Sequence, residues 1–111
     1  MRTPDNAAGV PFAIGDISAD PIQIILNSGD DMSISRASFL AAYKYLRDHN
    51  HNSENPVEIR SSNDADSSGP LCSATREHNN DVRCINYIIP ILSKFGLVGF
   101  SGERPNKCWF L

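Results

Sequence analysis

The sequence has no run of the roughly 18 to 20 apolar residues that a membrane-spanning helix needs; its uninterrupted apolar stretches are a few residues long. It is poor in cysteine. Cys72, Cys84 and Cys108 are an odd set without a CxxC pair, which argues against a disulfide framework and for reduced, buried thiols. Charge is sparse too, at 21% of residues with a formal net charge of −3, so the chain is neither a polyelectrolyte tail nor a weakly hydrophobic disordered segment. Met1-Arg2-Thr3-Pro4-Asp5-Asn6 lacks a basic stretch leading into an apolar one, so secretory export by that route is not expected and a cytoplasmic protein is. There is no GxSxG, no P-loop and no GxGxxG, and Gly96-Leu97-Val98-Gly99 lacks the lysine and the spacing of a phosphate cradle. No enzyme and no cofactor are expected.

What is present suffices for one domain: 111 residues, 41% of them hydrophobic, which form a core without help from a metal. The charge is uneven. Residues 1–34 carry Arg2 against Asp5, Asp16, Asp20, Asp30 and Asp31, whereas residues 35–111 carry nine bases and eight acids. The first dozen residues mix Pro, Gly, Ala and polar residues without period and read as a loose arm. Ile22-Gln23-Ile24-Ile25-Leu26, between Pro21 and Asn27-Ser28-Gly29-Asp30, reads as a short strand or clip that needs a surface to cover.

Three helices follow. Ser35 is a suitable N-cap for a first helix over about Arg36–Asp48, with Phe39, Leu40, Tyr43 and Leu46 on one stripe. Val57-Glu58-Ile59-Arg60 alternates as a half-buried strand, and residues 61–69 are polar, small and acidic, a loop. Pro70 fits the first turn of a second helix over about 70–78. A third helix is expected from Asp81 with Asn80 as its cap, its apolar stripe being Val82, Ile85, Ile89, Leu92 and Phe95; Gly96 closes it, and Pro90 bends it. Leu97–Phe100 and Lys107–Leu111, joined by a Gly/Pro/Asn loop, make a hairpin. The expected core is Phe39, Tyr43, Leu46, Ile59, Val82, Ile85, Ile89, Leu92, Phe95, Leu97 and Trp109.

This order of elements over residues 35–111, and the junction Ile91-Leu92-Ser93-Lys94-Phe95-Gly96-Leu97-Val98 leading into a loop with Arg104 and an aromatic strand, resembles the winged helix-turn-helix superfamily. The resemblance implies an α+β fold of three helices with a small antiparallel sheet and a C-terminal hairpin wing, over residues 35–111, preceded by an arm over residues 1–34. It implies a small DNA-binding protein, a transcriptional regulator acting as a homodimer or in a larger assembly, whose third helix enters the major groove. On that reading Asn79, Asn80, Arg83, Asn86 and Tyr87 face outward to read bases, since Arg pairs with guanine and Asn with adenine. Ser73, Arg76, Arg104 and Lys107 hold phosphates.

Residues 70–111 carry five bases and three acids, a small surplus for nucleic-acid binding. The alternative is therefore a winged helix used for protein interaction without DNA. His49, His51, His78 and the cysteines lack the spacing of a zinc knuckle, and Asp64, Asp66, Ser67 and Ser68 read as a solvated loop. No metal is expected.

Overall fold

A computed structural model describes residues 3, 11–60, 68–101 and 106–111. The element order is β1 (Phe12–Ile14), β2 (Ile22–Leu26), β3 (Asp31–Ile34), α1 (Arg36–Asp48), β4 (Val57–Glu58), α2 (Pro70–Arg76), α3 (Ile85–Lys94), β5 (Val98–Phe100) and β6 (Lys107–Phe110). Two three-stranded antiparallel sheets result, with orders β1-β2-β3 and β4-β6-β5. No helix among the described residues is long and apolar enough to cross a membrane.

The arm expected before residue 35 is, over residues 11–34, a meander in which Ile22–Leu26 is the middle strand. Its pleat sends Phe12, Ile22, Ile24 and Ile34 inward, while Gln23 and Ser33, opposite one another, bond on the outer face at 2.8 Å. Gly29, at φ 92°, makes the tight turn between β2 and β3. The inward residues belong to the same core cluster as Leu46, Ile59, Leu71, Ile88 and Val98.

Helix α1 has the expected bounds and cap: the Ser35 hydroxyl accepts the Ser38 N–H at 3.3 Å. Its buried line is Ser38, Ala42 and Leu46, so Phe39 and Tyr43 sit at the margin and Leu40 is 67% exposed. The inward face is rotated from the expected stripe because α2 packs closely on the small residues. The Ser38 hydroxyl bonds the Thr75 carbonyl at 2.9 Å, which satisfies a polar group with no access to water.

Helix α3 begins four residues later than expected. Asn80 and Asp81 both adopt left-handed backbone, φ 54° and 58°, which Asn and Asp tolerate better than other non-glycine residues. They form a turn instead of a cap, and Cys84 occupies the N-cap position. Val82, placed in this turn, is 49% exposed and leaves the expected core. Phe95 and Leu97 leave it as well, at 55% and 42% exposure. The helix ends in a Schellman motif there: Gly96 at φ 76°, its N–H on the Ser93 carbonyl and the Leu97 N–H on the Leu92 carbonyl, both at 3.0 Å. Pro90 lies inside the helix and is buried. The hairpin forms as expected, with Gly99 opposite Trp109. A Cβ on Gly99 would meet the indole at 2.7 Å, so the half-buried Trp109 lies flat against a strand that only glycine fits.

Candidate nucleic-acid interface

The turn between α2 and α3 is fixed from two sides. From below, the Arg76 side chain, 6% exposed, sends Nε to Asp81 Oδ1 and Nη2 to the Asp81 carbonyl, each at 2.9 Å. From the side, the Ser35 hydroxyl donates to the His78 carbonyl, and Asn79 Oδ1 accepts the Ser35 N–H at 3.2 Å. These contacts tie the start of α1 to the turn and consume polar groups that the sequence assigned to DNA.

Three of the nine expected contact residues are thereby corrected. Arg76 is buried and paired, which removes it as a phosphate ligand. Asn79 is 8% exposed, with its carbonyl oxygen turned inward to Ser35. Asn86 is 1% exposed, on the inner side of α3, and its Oδ1 has no hydrogen-bond partner among the described residues. Asn86 is misplaced because α3 is buried well beyond the stripe of Ile85, Ile89 and Leu92: Ile88, Pro90 and Ile91 are buried too, so a position about 100° from Ile85 also lies inside.

Tyr87 is half-buried, and its ring meets Phe12 of β1 edge-on, centroids 5.1 Å apart at 85°. Ser73 is half-buried with its hydroxyl 3.0 Å from that of Ser68. Lys107 is half-buried on β6, opposite Glu58. Asn80 is exposed and Arg83 half-buried, both outside the helix. Arg104 lies outside the described residues. The structure thus gathers Arg76, Asn79, Asn80 and Asp81 at one turn, the first two buried and the last two exposed.

The third helix itself is mostly buried. Seven of its ten residues are buried, and the face that carries Tyr87 and Lys94 stays open. Strand β1 supplies Phe12 against Tyr87, and Ile22 of β2 shares the wall of one hollow with Ile91, Leu92 and Phe95. The N-terminal sheet thus meets α3 at Tyr87 and across this hollow, while α1, α2 and β5 pack directly on the helix.

Titratable chemistry is muted. Cys72, Cys84 and Cys108 are buried and unpaired. Burial pushes the Cys108 thiol up to about 12 and the Cys84 thiol up to about 11, the latter against bonds with Thr75 and Ser38 that act in the other direction. Such thiols are poor nucleophiles and poor metal ligands. On the surface, hydrogen bonds from the Ser18 hydroxyl and N–H hold the Asp16 carboxyl below its ordinary value. The rings of His49 and His51 stack with Tyr45, centroids 4.2 to 6.1 Å apart. No group of three or more His, Cys, Asp or Glu suited to a metal ion occurs among the described residues.

A different surface was not singled out by the sequence. Leu40, Phe95 and Leu97 project around a shallow groove between α1 and the C-terminal end of α3. Its signal is the pair Phe39-Leu40, about 100° apart on a helix and so unable to share one buried line. No protein-family model, curated protein or solved structure matches the chain.

Proposed function

We propose that this chain is a protein-interaction module built on a winged-helix framework, without duplex DNA as its ligand. The framework reading is supported by the order α1, β4, α2, α3, β5, β6 and by β6 lying centrally between β4 and β5. The observation that carries the functional reading is the burial of α3: seven residues of the helix that would enter a major groove are buried, Asn86 among them, and Tyr87 meets Phe12 of the chain's own β1. Specific DNA recognition needs side chains that reach base edges, and of the candidates on α3 only the half-buried Tyr87 keeps any exposure. Duplex binding would instead rest on Asn80, Arg83, Lys107 and Arg104.

The test is an anisotropy titration at low salt against a randomised duplex pool. No saturable binding is expected. Saturable binding that Arg83→Ala or Lys107→Ala weakens would favour the DNA regulator instead.

A further inference from the structure

Three of the exposed large apolar side chains among the described residues, Leu40, Phe95 and Leu97, flank the groove between α1 and α3. Phe39 stands in its middle and, with Leu92, divides it into two hollows of about 280 and 410 Å3. Ile17 and Phe95 close the first, and Leu40, Tyr43 and Leu97 the second. No carboxylate lines either hollow among the described residues.

The charge around it has one sign at one end. On α1 the positions 36, 40, 43 and 47 follow the i, i+4, i+7, i+11 spacing of a single helix face, so Arg36 and Arg47 bracket Leu40 and Tyr43. The Arg36 end is balanced: its guanidinium donates to the Ile17 carbonyl, and Asp20 Oδ1 accepts its backbone N–H at 3.1 Å. The Arg47 end is not. The Arg47 guanidinium lies 4.8 Å above the Phe110 ring and reaches the Tyr43 hydroxyl at 3.3 Å. It makes no ion pair among the described residues; the exposed Lys44 and Asp48 line a separate hollow between α1 and α2.

Resting on the interaction-module reading, we propose that this groove binds an amphipathic helical segment of another protein, with one apolar anchor for each hollow and acidic residues at the end that meets Arg47. The span from position 36 to position 47 is about 16 Å, three helical turns, and the two hollows set the anchor spacing. Helix-in-groove recognition uses apolar anchors at this spacing. The unpaired positive end supplies the sign preference, as charge complementarity steers and orients such partners.

The test uses a fluorescein-labelled amphipathic peptide of about 15 residues, with Leu or Phe at i, i+4 and i+7 and Glu or Asp elsewhere, titrated into the full chain at low salt. A second peptide carries Lys in place of every acid. The acidic peptide should bind at least about tenfold more tightly, weakening as salt rises. Arg47→Glu should erase or reverse that preference. Leu40→Asp, at an exposed position, should abolish binding with the melting temperature unchanged. Equal affinity for the two peptides, or acidic-peptide binding unaffected by Leu40→Asp, overturns the proposal. So does a concentration-dependent dimer that Leu40→Asp makes monomeric, because the occupant is then a second copy. The duplex titration runs in parallel: if neither peptide nor duplex binds, the groove proposal falls and the interaction-module reading stands, whereas duplex binding lost on Arg83→Ala removes that reading itself.

Discussion

Arg76 grips Asp81 twice, through the carboxylate and through the main-chain carbonyl, where the chain runs left-handed over Asn80 and Asp81 in succession. The arginine is buried and the aspartate 74% exposed, so the ion pair is half in water and its worth lies as much in shaping the turn as in charge. Asp81→Asn keeps a residue tolerant of positive φ and removes the charge. It should cost about 1 to 3 kcal/mol in chemical denaturation, the range for a hydrogen bond to an ionised group. Loss of under about 0.3 kcal/mol would mean that the carbonyl bond alone holds Arg76.

The orientation of the N-terminal sheet is tested by neighbours on opposite faces. Ile24 has no exposure and Ile25 is 43% exposed. Ile24→Ala should destabilise by about 2 to 5 kcal/mol, and Ile25→Ala by no more than about 0.5 kcal/mol. A reversed order would mean a register shifted by one residue, which exchanges the faces.

The same contrast applies to α3. Ile88 is fully buried and Val82 is half exposed. Ile88→Ala should cost about 2 to 5 kcal/mol and Val82→Ala under about 1 kcal/mol, both read as midpoint shifts at constant m-value. Similar costs for the two would put Val82 back in the core that the sequence pattern gave it.

Much of the helical part was legible because its signals are local. Ser35 caps α1, Pro70 opens α2, Gly96 closes α3, and Gly and Pro punctuation marks the hairpin. The failures have a common physical cause, which is tertiary contact overriding pattern. Val82-x-x-Ile85 continues a helical period, yet the buried Arg76 holds Asp81 in a turn that delays the helix and leaves Val82 outside it, while Asn86 lies inside because α3 is buried beyond its apolar stripe. The strands β1 and β3 escaped notice because Phe12-Ala13-Ile14 is three residues long and Asp31-Met32-Ser33-Ile34 has little β propensity of its own. They are strands because β2 between them is. The groove was missed for the converse reason: Leu40, Phe95 and Leu97 look like core residues, and only the packing leaves them outside.

Stability should fall in alkali through the buried thiols. In the unfolded chain they ionise near their ordinary value, about 8.5, whereas the folded Cys84 and Cys108 are raised to about 11 and about 12. A group raised on folding contributes its full stability below the unfolded value and loses it as the pH climbs to the folded one. Denaturation midpoints should therefore be insensitive to these thiols between pH 6 and about 8, and decline from about 9 upward. The double variant Cys84→Ala, Cys108→Ala should show a shallower alkaline decline than the parent. An identical decline in both would assign it to other groups.

The contact of the chain's own β1 with the outer side of a buried α3 is the claim on which the functional reading rests, and proton–proton Overhauser contacts report it directly. Ring protons of Phe12 and Tyr87, with centroids 5.1 Å apart, should show cross-peaks that persist when duplex DNA is added. Absence of these contacts in a spectrum where α3 is otherwise helical, or their loss on adding duplex, would contradict the account.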